Sequence, residues 1–380
     1  MKKIIIIAVS VLLLIGIGIG CILLIPKGEK SGAKPADTET VRMLLGAISQ
    51  NISQFSQKGY VVSFTQEYSV TYKNSTDLED VDFSISYSGE GIASLSYVLD
   101  GEVNAEPKLS DLFSSRSAFL TGEQTERIRY FNNEVRKIDG EEIPRTDDTD
   151  YGIDHEFTIK IDGDCFYAAS ESSYFDYKDS ANNKTDSFSG KIDKNALKGS
   201  VSDEELTKAF SGLLFMEAWG YIDQLKGLAN DYLKELDFSN EEAIENFIRD
   251  NGIEETEEGT AVYIYFTLRS NDVLSGITGE SVDNIADVKG TVKFDKESEN
   301  VLYFKYDLGD CLLSMLEESG KDMGQFDADV KGFVIEGGFF NESLEDVPLD
   351  REFTEYPEDA EYEFINQFLN HIIPFYSEEG

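Results

Sequence analysis

The stretch DDTDYGIDHE, residues 147–156, holds Asp148, Asp150 and Asp154 at short spacings, an arrangement from which calcium ligands are built. Taking Asp148 as the first position of a twelve-residue calcium loop puts Asp150 at the third. Gly152 and Ile153 then stand where an oxygen ligand and the turn glycine belong, and Ile159 takes the last position. The pattern is not an EF-hand. Calcium held in another geometry by Asp148, Asp150 and Asp154, or by the carboxylates of DLEDVD at 77–82, is the metal expectation that the sequence offers.

The remaining chemistry is sparse. His155 and His371 are the two imidazoles, and neither belongs to HExxH or another zinc spacing. Both are expected in structural roles, His371 near a helix C-terminus where the dipole favours a cation. No GxSxG, no GxxxxGK[ST] and no helix-opening GxGxxG occurs, since GIGIG at 16–20 lies inside an apolar run. A glycosidase needs only two carboxylates at a fixed separation, and the 74 Asp and Glu residues single out no such pair. The one Trp, Trp219, falls on an expected helix, where packing is its ordinary use. No catalytic residue and no cofactor are assigned.

Three cysteines do not make a disulfide scaffold. Cys165 in IDGDCF and Cys311 in LGDCLL form a candidate disulfide if the chain is exported. Cys21 lies within the apolar run 4–25, preceded by lysines and closed by Pro26 and Lys27. A run of this length makes roughly 33 Å of helix, enough to cross a hydrocarbon core of about 30 Å. Gly20 suits the position before a lipidated cysteine, whereas Gly18 stands where a leucine-like residue is wanted and Ile22–Ile25 continue the apolar run. Residues 4–25 are therefore expected to be a retained single-pass anchor (or uncleaved signal), with lipidation of Cys21 as the lesser alternative. Residues 1–3 would be cytoplasmic, 26–36 (PKGEKSGAKPA) a flexible tether, and everything beyond extracytoplasmic.

The formal net charge is −41, although the charged residues of 1–36 are five lysines and one glutamate, so the remainder is more acidic still. Such a field repels phosphate backbones and anionic headgroups, which excludes nucleic acid and argues against a peripheral membrane-surface role for the domain itself. It attracts divalent cations, basic proteins and cationic polymers. Lys exceeds Arg 24 to 9, the usage of a low-GC, bacterial genome.

The positioning elements read as α+β. DTETVRMLLGAISQNISQF carries apolar residues at helical spacing. YVVSFTQEYSVTY, VDFSISY and ASLSYVL then alternate apolar and polar residues, as antiparallel meander strands with one covered face do. Further strands fit RIRYF, NEVRKI, GIDHEFTIKI, CFYAAS and FSGKID, with a hairpin at Asp162-Gly163 and a polar loop at DYKDSANNKTDS. Capping boxes at Ser202/Glu205 and Ser239/Glu242 open two helices. TAVYIYFTL, VKGTVKF and NVLYFKY are strands, CLLSMLEES a helix, ADVKGFVIEGGFF a strand and Asp359–Ile372 a last helix. Helix first and meander second, twice, points to a duplication or to two lobes, 37–200 and 201–380.

The run from that amphipathic helix into long strands, and again GTVKFDKESENVLYFKY followed by a helix and a strand, resembles exported bacterial lipoproteins of the LolA/LppX-like half-barrel type. The likeness is one of architecture over parts of both halves, without a shared motif, so it carries over no functional residue. It implies a curved sheet with helices in its concavity, enclosing in some members a pocket for lipid or lipoprotein acyl chains. The expected function is a membrane-anchored, extracytoplasmic, non-catalytic acidic domain that binds an apolar ligand or an envelope partner. The alternatives are an anchored, carboxylate-dependent hydrolase of cell-wall sugars and a passive or adhesive cation-binding surface domain.

Overall fold

The computed structural model describes residues 33–44, 59–76, 79–99, 115–138, 141–197, 202, 240–250, 252–268, 284–298, 300–321, 325–340 and 352–372. The apolar run 4–25 with Cys21, and the helix expected over 203–232 with Trp219, lie outside the described residues. Among the described residues no helix is long and apolar enough to cross a membrane.

The strands are β1 (Lys34–Pro35), β2 (Gly59–Ser75), β3 (Glu79–Leu99), β4 (Ser115–Ile138), β5 (Glu141–Asp162), β6 (Cys165–Asp176), β7 (Lys184–Asp193), β8 (Glu254–Glu258), β9 (Ala261–Leu268), β10 (Val288–Asp295), β11 (Asn300–Asp307), β12 (Gln325–Phe340) and β13 (Thr354–Glu355). They form one open sheet in the order β1-β8-β9-β10-β11-β12-β2-β3-β4-β5-β6-β7-β13. Neighbours are antiparallel except β13, which runs parallel to β7. β2–β7 and β8–β12 are each a meander, as the alternation predicts. The expected two lobes are instead a single sheet, because β12 pairs with β2 from Gln325↔Lys73 to Phe340↔Gly59 and closes the seam between the meanders.

Two expected strands, RIRYF and NEVRKI, are parts of the 24-residue β4, and the acidic residues 147–151 that precede the expected strand GIDHEFTIKI are strand too, within β5. Unbroken pairing from Ser117↔Asp162 to Ile138↔Glu141 supplies the backbone bonds that these polar residues would not secure by propensity alone. The hairpin at Asp162-Gly163 is present, with Gly163 at φ 62°, a conformation that favours glycine.

One face of this sheet is covered. A line of directly paired residues runs Ile264, Val292, Phe304, Gly337, Val62, Ala93, Gly122, Phe157, Ser170, Phe188 from β9 to β7. Because side chains alternate along a strand, that register places the apolar phases of these strands on the same side. Gly122 and Gly337 are required in it. A Cβ on Gly122 would lie 2.6 Å from the Phe157 ring, and one on Gly337 2.5 Å from the Phe304 ring.

Helices α1 (described over 38–44), α2 (Lys194–Leu197), α3 (Glu241–Asp250), α4 (Gly309–Gly320) and α5 (Glu361–His371) accompany the sheet. Residues of α1 and α3 pack with Val262, Ile264, Val292 and Phe294. α4 brings Leu312, Met315 and Leu316 to Val62, Phe64, Phe333 and Ile335. α5 brings Phe364 and Phe368 to Phe166 and Phe188, rings meeting at centroid separations of 5.7–5.8 Å. Asn240 caps α3, its Oδ1 accepting from the Glu242 and Ala243 amides at 3.1 and 3.4 Å, while Ser239 of the expected capping box lies outside the described residues.

The chain enters the sheet at Lys34. The fully buried Glu255 of β8 lies 3.2 Å from Lys34 Nζ through Oε1 and accepts the Asp37 amide at 3.1 Å through Oε2. Asp37 Oδ2 in turn accepts the Thr40 amide at 3.3 Å and caps α1.

A seam that joins two meanders makes them one cooperative unit. Ile335→Ala, at a side chain that is 1 % exposed, is expected to cost about 2–5 kcal/mol. In hydrogen exchange read by mass spectrometry, amides of β5 and of β10 should then lose protection together. Loss confined to β8–β12 would show two independent units.

Candidate functional site

Along β3–β6 the covered face turns polar a few residues beyond the α5 core. Glu126 of β4 is buried, and its carboxyl accepts from Tyr87 Oη at 3.3 Å and from Gln124 Nε2 at 3.1 Å. Gln124 pairs directly with His155 of β5, which pairs with Ser172 of β6. His155 is 2 % exposed. Its Nε2 lies 2.9 Å from the Ile372 carbonyl, which only accepts, so Nε2 carries the proton and Nδ1 accepts from Ser172 Oγ at 2.5 Å. Burial pushes the His155 pKa down to about 4. A neutral histidine thus bolts the end of α5 to the middle of the sheet. His371 donates from Nδ1 to the Gln367 carbonyl at 2.6 Å, stacks on Phe188, and has Nε2 3.3 Å from Asp186 Oδ2. Both histidines hold structure, as their sequence context leads one to expect.

The opposite face buries Phe119, Lys160 and Ala169 at one end but is open further along β3–β6, where it carries a groove of about 580 Å³. Its lining follows from register. Thr65, Glu90, Thr125, Asp154 and Ser173 form one line across β2–β6, and Ile92, Glu123, Glu156 and Glu171 the next across β3–β6. Glu123, Glu156 and Glu171 therefore stand directly opposite one another on three adjacent strands. Paired positions bring Cβ atoms to about 5 Å, where like charges are destabilising. Among the described residues, Glu90, Glu123, Asp154 and Glu171 have no cation within ion-pair distance. Ile92, 42 % exposed, is the large apolar side chain of this patch.

Asp148, Asp150 and Asp154 do share this face of β5, but they do not converge. Asp148 pairs with Lys178, and Asp150 takes Arg127 Nε and Nη2, each at 3.1 Å. Asp154 alone lies in the groove. Alternate strand residues are about 6.8 Å apart and point in parallel, so they cannot close round one ion as loop residues can. Of DLEDVD, Asp80 pairs with Lys137 at 2.9 Å and Asp82 with Lys73 at 2.8 Å. Among the described residues no three His, Cys, Asp or Glu side chains are placed to hold a metal.

The candidate disulfide is corrected: Cys165 and Cys311 are not joined by a disulfide. Cys165 begins β6 after the hairpin turn, whereas Cys311 is buried with α4 in the β2–β12 core, its Sγ 4.0 Å from Met315 Sδ.

Glu123, Glu156 and Glu171 escaped the sequence reading. Each sits at the polar phase of its own strand, the only signal available, and their alignment depends on a register fixed by β4–β6 as a whole. Comparison of the chain with protein-family models, curated proteins and solved structures finds no match.

The buried histidine gives the fold an acid limit. Well above pH 6.5 His155 is neutral both folded and unfolded, and its titration takes nothing from stability. As pH falls, the unfolded chain takes up a proton that the folded state refuses until about pH 4, so stability drops through that window by on the order of 3 kcal/mol. Urea denaturation between pH 7 and 4 should show this loss, and His155→Gln should flatten the part of it that belongs to His155.

Proposed function

We propose that the chain is a non-catalytic, extracytoplasmic binding domain, held at the cell membrane by residues 4–25, and that its open-face groove receives a basic segment of an envelope partner. The observation that carries this reading is the line Glu123, Glu156, Glu171, three like charges set opposite one another across adjacent strands and lining a groove. An arrangement that costs stability is compensated when a cationic partner occupies it. Ile92 offers that partner a small apolar foothold amid the acids.

An apolar ligand finds less support. On the covered face α4 and α5 fill the sheet with their own side chains, and the groove lies on the polar face. The hydrolase alternative would use Glu123 and Glu156, which face one another across adjacent strands in the groove. Cell-wall sugar release by the full chain, lost in Glu123→Gln, would favour it over a binding role.

Binding is tested with the full chain in uncharged detergent and an oligolysine peptide. Wild type should bind, more weakly as salt rises. The triple variant Glu123→Gln, Glu156→Gln, Glu171→Gln should bind at least tenfold more weakly, while melting slightly higher because about 0.5 kcal/mol of repulsion per pair is relieved. Neutralising Glu141, Glu142 and Asp147 instead, outside the groove, controls for net charge. Equal losses from the two triple variants would sink the groove as the binding site.

A further inference from the structure

About 20 Å along β4 from Glu123, at Arg129, the open face changes sign. Asp329, Ser69, Ser86 and Arg129 form one line across β12, β2, β3 and β4, and Glu67, Ser88 and Arg127 the next. These residues and Lys331, carried on the bulge between Val330 and Gly332, bound a second depression of about 280 Å³. We propose that it is an oxyanion site, with Arg127 and Arg129 as its wall and the hydroxyls of Ser86 and Ser88 as its floor, and that it takes a phosphate group on a soluble molecule.

Arg127 is held in place from two sides. Asp150 grips its Nε and Nη2, each at 3.1 Å, and its guanidinium carbon lies 4.2 Å above the Tyr177 ring. Tyr177 reaches that position because Gly152, the residue paired with Arg127, has no side chain; a Cβ there would meet Tyr177 Oη at 2.8 Å. The Tyr177 amide also donates to the Asp150 carbonyl at 2.9 Å. The remaining N–H groups of Arg127 are left for a ligand.

Arg129 is exposed and among the described residues makes no ion pair. The acid directly opposite it, Asp150, is already bound by Arg127. Asp329 is three strands away, about 14 Å, and Glu67 is engaged by Lys331. The two arginines emerge about 6.8 Å apart on one face. A tetrahedral phosphate has oxygens on both sides and bridges two guanidinium forks at that spacing, whereas a carboxylate presents its two oxygens to one fork. With a net charge of −41 the chain gives no long-range attraction to such a ligand. Recognition rests on short-range hydrogen bonds, which favour a small or flexible ligand over an anionic membrane surface.

The test is titration calorimetry of the full chain with inorganic phosphate at fixed ionic strength. Wild type is expected to bind phosphate and not acetate, Arg129→Gln at least tenfold more weakly, and Arg129→Lys between the two because it keeps the charge but loses the fork. The groove variant Glu123→Gln, Glu156→Gln, Glu171→Gln should leave phosphate binding unchanged, so the two sites fail or stand separately. In phosphatidylcholine nanodiscs, adding phosphatidylglycerol should not alter phosphate affinity; competition there would assign the site to a lipid headgroup and overturn the soluble ligand. Absence of phosphate binding, or binding indifferent to Arg129→Gln, would overturn the site itself.

Discussion

The pairing of β12 with β2 is the interaction on which the rest depends. Each meander alone would be a sheet with its own free edge and half a covering of helices. Joined along residues 59–73 and 325–340, they present one continuous covered face. The α4 core sits astride this seam, drawing Val62 and Phe64 from β2 and Phe333 and Ile335 from β12. Sequence-distant pairing of this kind bears a large loop-closure entropy and is offset by the apolar area that the helix then buries.

Local pattern made much of this legible. Alternation in YVVSFTQEYSVTY and VDFSISY reads directly as strands, and the spacing of Tyr362, Ile365, Leu369 and Ile372 reads as the last helix, although the face it buries is centred on Phe364 and Phe368 and leaves Tyr362 76 % exposed. The seam is not legible in the same way, because no local feature of β2 or β12 names its neighbour across some 260 residues of chain. The acidic run at 147–156 misleads for a related reason. Its Asp-rich first half argues against strand, yet the run is enclosed by β4 throughout and by β6 from Tyr151 onward, and the pairing prevails over propensity.

The same limit applies to sites. A calcium loop is a local object, and its ligand positions can be checked one by one in sequence. Glu123, Glu156 and Glu171, or Ser86 and Arg129, are assembled by cross-strand register, so their proximity exists only in the sheet. Acidic residues that read as a diffuse solubilising charge are, in space, sorted into a negative groove and, further along the same strands, a depression walled by arginine.

The buried carboxyl of Glu255 has a mechanical meaning. By clamping Lys34 and Asp37 it fastens the incoming chain to β8, at one margin of the sheet. Seven strand spacings separate β8 from β4, about 34 Å measured along the sheet. If the preceding segment is fixed in a bilayer, the sheet acts as an outrigger: its root takes any pull on that segment through β1 and β8, while the acidic groove and the arginine-walled depression ride at a distance from that load.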